Sequence, residues 1–103
     1  MVTEELLTEF KERMHITHGA EDSNLKRLLS FSIADLQEKC GQFVVEENER
    51  AKELVFERSR YAYNDALEFF DDNFLSQLNS LGLSLALKAG EVVDPVQVQE
   101  TKS

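Results

Sequence analysis

The sequence predicts an all-α protein: a small helical hairpin or bundle of three to four helices, with a long central helix and a flexible C-terminal tail. The 103 residues are 42% hydrophobic and 30% charged, which is typical of a globular chain. A single proline and four glycines disfavour a loop-rich or all-β design. Apolar residues also recur at helical spacings. We expect one helical domain over residues 1–89 and a tail over residues 90–103.

Two helices are predicted before the central one. Thr3 is a suitable N-cap for the first helix, which we expect to end near Met14. Residues 16–22 form a predicted turn that leads to a new cap at Asp22 or Ser23. The second helix should end at Gly41 in a left-handed conformation. Its apolar stripe consists of Leu25, Leu28, Leu29, Ile33, Leu36 and Cys40.

The longest predicted element is a single helix over residues 50–74, which has two apolar faces. We expect a small-residue face to close a helical hairpin, and an aromatic face to be shared between the core and a neighbouring subunit. Glu46 with Arg50 and Glu57 with Arg60 should form pairs worth about 0.2 to 0.5 kcal/mol each. The small-residue face comprises Ala51, Val55, Ala62, Ala66 and Phe69, and the aromatic face comprises Phe56, Tyr63, Leu67, Phe70 and Phe74.

The leucine-rich segment that follows allows two interpretations. Leucines at 81, 83, 85 and 87 alternate with smaller or polar residues, as in an extended arm, but leucine and alanine favour a helix. We favour a helix through about Leu81, with a kinked continuation to Leu87 left open, and with an extended arm paired to another chain as the alternative. Gly90 should end this element. The remaining residues include Pro95, and we expect them to be mobile in the free protein and ordered by a partner, with a simple frayed terminus as the alternative.

Charge and motif content exclude several function classes. The net charge of −9 disfavours binding to nucleic-acid phosphates. No nucleophile or metalloprotease motif occurs, so we expect no enzymatic activity, cofactor or metal, with His15 and His18 as solvated loop residues. A single cysteine, Cys40, indicates a reducing compartment and a buried small side chain. We also expect no signal peptide and no membrane span.

Several motifs along the chain resemble a known family. The quoted segments are ITHGAED before the second helix, KCG at its end, and then ERAKELV, RYAYN and FFDDNF. Over residues 3–87 this layout resembles the head–tail connector (adaptor) proteins of long-tailed bacteriophages and prophages. The match is strongest from Ala51 to Phe74, at Leu54, Val55, Tyr61, Tyr63, Asn64, Phe70 and Phe74.

This resemblance implies a structural protein of the virion. Members of the family assemble as a dodecameric ring beneath the portal, extend the DNA channel and offer a platform to a stopper or tail-completion protein. The resemblance implies that the monomer can be soluble alone in the host cytoplasm and can assemble only on the portal, where it joins the head–tail interface; the oligomeric state of the free chain stays open. DNA would pass through the channel without specific binding, and no membrane would be involved.

The predicted contact residues follow from position along the helices. Acids at Glu53 and Glu57 are the expected channel-facing groups, since negative charge repels phosphate. The alternative function is a small regulatory module that forms a dimer or a one-to-one complex through its aromatic face. The expected subunit or partner contacts are Phe31, Phe56, Arg60, Tyr63, Leu83, Leu87, Val92, Val93 and Val96.

Overall fold

A computed structural model describes residues 2–90, and over that range the protein is all-α, as predicted. The described part holds five α-helices and two short 3-10 turns. The fourth helix is a single turn, so four helices are of substantial length. The elements are α1 (Glu4–Met14), α2 (Asp22–Cys40), a 3-10 turn (Val45–Glu47), α3 (Glu49–Tyr63), a second 3-10 turn (Leu67–Phe69), α4 (Phe70–Asn73) and α5 (Leu75–Ala89).

The ends of α1 and α2 follow the sequence signals closely. The Thr3 hydroxyl accepts a hydrogen bond from the Leu6 amide, and His15 ends α1 with a left-handed φ of 61°. Helix α2 begins at Asp22, with Glu21 at the N-cap position, so it starts one residue earlier than a cap at Asp22 would require and two earlier than a cap at Ser23; no side chain caps it. Gly41 ends α2 with φ 119° and ψ 170°. Its φ is positive as predicted, but its backbone is extended rather than left-handed helical.

Helices α2 and α3 pack as an antiparallel hairpin around a small polar pair. The buried Ser59 hydroxyl donates to the Ser32 hydroxyl at 2.9 Å, and Ser59 also bonds the Leu28 carbonyl at 3.3 Å. Beside them, Arg58 donates to Ser32 and forms an ion pair with Asp35 at 3.0 Å. Small side chains allow the two helices to approach closely, and their hydroxyls satisfy each other inside the interface.

The prediction of one helix over residues 50–74 is wrong. Helix α3 ends at Tyr63, and the chain reverses through Asn64 and Asp65, whose φ is 56°. The Asn64 side chain bonds back to the Arg60 carbonyl at 3.0 Å. Asn and Asp end helices readily because their side chains compete for backbone groups and tolerate a left-handed backbone.

The reversal assembles an aromatic cluster that a straight helix would forbid. In a continuous helix, Tyr61 and Phe70 would lie about 13 Å apart along the axis. Their ring centroids are instead 5.7 Å apart, and Tyr61 lies 5.6 Å from Phe74. Phe70 stacks on Phe74 at 4.9 Å. Burial of these rings stabilises the break, since Phe70 is fully enclosed.

The leucine-rich segment is helical, so the alternative of an extended arm is wrong. Helix α5 runs across the C-terminal end of α2 and ends at Gly90, whose left-handed φ is 75°. Its buried stripe consists of Leu78, Leu81 and Leu85. The predicted tail lies outside the described residues, except for Gly90.

The core joins all the long helices. Helix α1 contributes Leu6, Leu7 and Phe10 to the core, and the connector after α2 contributes Phe43 and Val45. Residues of the predicted α2 stripe are mostly buried, as expected, although Leu28 and Cys40 are only half-buried. The other buried apolar residues are Leu25, Leu29, Ile33, Leu36, Ala51, Leu54, Val55, Phe56, Phe70, Leu78, Leu81 and Leu85.

Two leucines of α5 provide a test of this packing. Replacing the fully buried Leu81 by alanine should lower the free energy of unfolding by about 2 to 5 kcal/mol, because it leaves a cavity. Denaturant unfolding measures the change. The matched control is Leu83→Ala, which removes an exposed side chain and should change stability by less than about 0.5 kcal/mol. Equal losses at both positions would contradict the helical register of α5.

Candidate interaction surface

The structure leaves three of the predicted contact residues on the surface. Phe31 is 60% exposed on α2, and Leu83 and Leu87 are 57% and 58% exposed on α5. These side chains are free to meet another protein. Val92, Val93 and Val96 lie outside the described residues.

Three other predicted contact residues are engaged within the monomer. Phe56 is 5% exposed and packs 5.5 Å from Phe10, so its placement at a subunit contact is wrong. The half-exposed Tyr63 donates its hydroxyl hydrogen to Glu21 at 3.0 Å. Arg60 is half-exposed and pairs with Glu57 at 2.6 Å, which confirms that predicted ion pair. The aromatic face therefore serves mainly the core of this protein.

Glu57 is not a free channel-facing acid, contrary to the prediction. Its carboxylate is buried and bonds to Arg60 at 2.6 Å and Arg13 at 2.8 Å. Burial alone would raise the pKa of Glu57, but the hydrogen bonds and charges of Arg60 and Arg13 outweigh it and hold that pKa below the ordinary value. Glu53 does remain exposed, although it shares Arg13 at 2.6 Å.

The outer side of α5 is apolar as well as the inner side. Leu75, Leu83 and Leu87 are each more than half exposed and lie away from the buried stripe of this helix. The segment from Leu75 to Leu87 contains no charged residue, in a chain that is 30% charged. A helix that is apolar on two sides usually packs against two partners. Only the inner partner is present within the described residues.

Two shallow grooves follow this outer side of α5. The first, of about 620 Å³, lies towards the start of the helix, and the second, of about 410 Å³, lies towards its end. Ser80 and Leu83 line both grooves, which are therefore adjacent. The second groove is lined by Arg50, Ser80, Leu83, Ser84, Leu87 and Lys88, and we call it the basic groove.

The two cations of the basic groove are unusual in this protein. Most lysines and arginines of the described range pair with carboxylates, whereas Arg27, Arg50 and Lys88 form no ion pair with another described residue. The predicted pair of Glu46 with Arg50 is absent, because Glu46 accepts a hydrogen bond from Thr3 at 2.9 Å. Arg50 also lies in the first turn of α3, where the helix dipole disfavours a cation.

The exposed residues that sequence reasoning missed lie just before α5. Phe69 was predicted to close the hairpin but is 56% exposed, since the reversal after Tyr63 takes it out of the α3 stripe. Leu67 is also exposed. The adjacent asparagine and aspartate at positions 64 and 65 were the available sequence signal for this change of direction.

Groups able to carry chemistry are sparse in the described structure. Within residues 2–90, no set of three His, Cys, Asp or Glu side chains could hold a metal ion. His15 and His18 are exposed, and His18 accepts a hydrogen bond from the Ala20 amide. Cys40 is half-buried, and burial raises the pKa of its thiol. None of the helices in this range is long and apolar enough to cross a membrane.

Comparison with known proteins gives no relative of this chain. No protein-family model, curated protein or solved structure matches it. The resemblance to phage connector proteins accordingly stays a prediction.

Glu57 offers a test of the buried ion pairs. Because its pKa is lowered on folding, Glu57 stabilises the protein above its unfolded pKa, and this contribution is lost as the pH falls through the folded pKa. Glu57→Gln should therefore cost about 1 to 2 kcal/mol at neutral pH. The difference from the unmodified protein should shrink below the ordinary carboxyl value of 4.5. Denaturant unfolding at several pH values measures both effects.

The control for this experiment is Glu53→Gln, which removes an exposed partner of the same arginine. An exposed ion pair contributes about 0 to 1 kcal/mol, so this variant should lose less stability. A Glu57→Gln variant as stable as the Glu53→Gln variant would contradict a stabilising role for the buried carboxylate.

Proposed function

We propose that this protein is a structural head–tail connector, or adaptor, of a bacteriophage or prophage virion. In this role it forms a ring beneath the portal protein, extends the DNA channel and provides the docking platform for a stopper or tail-completion protein. It is made in the host cytoplasm and becomes part of the head–tail interface on assembly.

The observation that carries this proposal is the outer side of α5. Leu75, Leu83 and Leu87 are exposed on an uncharged stretch of helix, although the same helix already buries an opposite stripe. Exposed apolar surface of this kind marks a protein contact. Three leucines bury far less than the roughly 800 Å² per partner of a standard interface. Such a small surface suits a subunit that associates on a template.

The charge of the chain suits a channel through which DNA moves. A net charge of −9 repels phosphate and opposes adhesion of the passing duplex. Glu53 is an exposed candidate for the channel wall. Glu57 has no part in this role, since two arginines neutralise it.

A regulatory interaction module is the second candidate, and the same α5 surface favours it. A single helix from another protein would cover the exposed leucines and form a one-to-one complex. The two candidates differ in assembly state. An adaptor forms an annular layer, whereas a regulatory module forms a dimer or a one-to-one complex.

Electron microscopy of the chain mixed with its cognate portal oligomer tests the proposed function. We expect an added annular layer on the portal. The double variant Leu83→Ser with Leu87→Ser should lose this layer and keep its melting transition, because both side chains are exposed. Absence of the layer with the unmodified chain would rule out the adaptor function.

The matched control for the double variant is Val44→Ser, which removes an exposed apolar side chain outside α5. It should keep the annular layer. Loss of the layer in the control as well would show that general surface polarity, and not the α5 surface, governs assembly.

A further inference from the structure

The basic groove has an apolar floor and two cations that form no ion pair within residues 2–90. Leu83 and Leu87 provide the floor, and Arg50 and Lys88 lie beside them without an ion pair to another described residue. Lys88 also borders a neighbouring depression that contains Glu47, but the two side chains form no ion pair. A groove of this composition suits a segment that offers apolar side chains together with carboxylates.

The same chain presents a segment with this composition at residues 65–69, which we call the acidic loop. Leu67 and Phe69 are exposed there, and the carboxylates of Asp65 and Glu68 form no ion pair with another described residue. The loop is held in one shape, since the Phe69 amide donates to the Ala66 carbonyl at 3.0 Å. The buried Phe70 anchors its far end. A loop fixed in this way loses little entropy on binding.

The acidic loop and the basic groove lie at opposite ends of α5. The loop precedes the first turn of the helix, and the groove borders its last two turns. At 1.5 Å per residue, Leu83 and Leu87 lie about 12 to 18 Å along the axis from the first residue of α5, so the loop and the groove do not meet within one copy. Two such complementary surfaces on one chain define a head-to-tail contact, which closes into a ring if the rotation between copies allows.

We propose that the basic groove of one copy of this chain binds the acidic loop of the next copy. Leu67 and Phe69 pack on Leu83 and Leu87, while Asp65 and Glu68 approach the Arg50 and Lys88 side chains. This inference rests on the proposed function, and it names the two surfaces that join neighbouring subunits.

Charge complementarity identifies a second copy as the occupant. The chain is strongly acidic, so most approaches between two copies bring like charges together. The head-to-tail contact instead places two carboxylates beside two cations. It also covers exposed residues on both sides of the contact, whereas pairing of two grooves would leave Leu67 and Phe69 exposed and place four cations close together.

Two charge variants test the contact on the free chain, without a portal. The groove variant combines Arg50→Glu with Lys88→Glu, and the loop variant combines Asp65→Asn with Glu68→Lys. Asparagine is chosen at position 65 because it tolerates the left-handed backbone there. Each variant alone should weaken self-association by about tenfold or more in sedimentation velocity. An equimolar mixture should recover association, because it contains one intact loop and one intact groove.

A carbodiimide crosslink provides a second measurement that also detects weak association. Covalent dimers of the unmodified chain should contain a bond from the Lys88 amine to the Asp65 or Glu68 carboxylate, identified by mass spectrometry. Lys88→Arg keeps the charge and should remove this bond while association persists. The control Arg27→Glu changes an unpaired cation outside the groove and should leave both readouts unchanged.

Several results would overturn the proposed contact. These are undiminished association of the loop variant, failure of the mixture to recover, and absence of both association and the Lys88 crosslink in the unmodified chain. If these occur while an annular layer still forms on the portal, the adaptor function stands and other surfaces join the subunits. If the contact is found but no layer forms on the portal, the contact stands and the adaptor function is wrong.

Discussion

The reversal of the chain after Tyr63 is the constraint on which the rest of the structure depends. It brings Phe70 and Phe74 back onto Tyr61, which a continuous helix would hold far away. Once the rings are packed, α5 is directed across the end of α2 and can bury its inner leucines. Without the reversal, this stripe would have no surface to cover. The same reversal exposes Phe69 and so creates the acidic loop.

Most lysines and arginines in the described part of the chain form ion pairs within the monomer. Arg13 joins α1 to α3 by bonding both Glu53 and Glu57, and Lys39 joins α2 to Asp71 of α4. Pairs of this kind that lie at the surface contribute little each to the stability of the fold. The cations that form no ion pair with another described residue are therefore informative. Arg50 and Lys88 stand together beside exposed leucines, and that combination gives the outer side of α5 a specific chemistry.

Surplus apolar surface exists in this chain, but at a different place from the predicted one. The two-faced pattern over residues 50–74 suggested a subunit contact through the aromatic face. In the folded protein, Phe56 packs on Phe10 of α1, and the break after Tyr63 allows Phe70 to fold back into the core. The outward leucines of α5 now provide the exposed apolar surface. In the sequence these leucines belong to an alternating pattern that also fits an extended arm. The alternation arises because the helix carries leucines on both its inner and its outer side.

The sequence by itself determined the all-α class, the cap at Thr3, the extent of α2 and the stop at Gly90, because these depend on local propensity and capping. It also correctly placed Phe31, Leu83 and Leu87 on the surface. Only the tertiary structure decided that Phe56 and Glu57 are buried, and that Arg50 lies beside Lys88. Phe56 and Glu57 meet Phe10 and Arg13 of α1, and Arg50 lies beside Lys88 only because the chain reverses at Asn64. Helical periodicity carries no information about such contacts between separate helices.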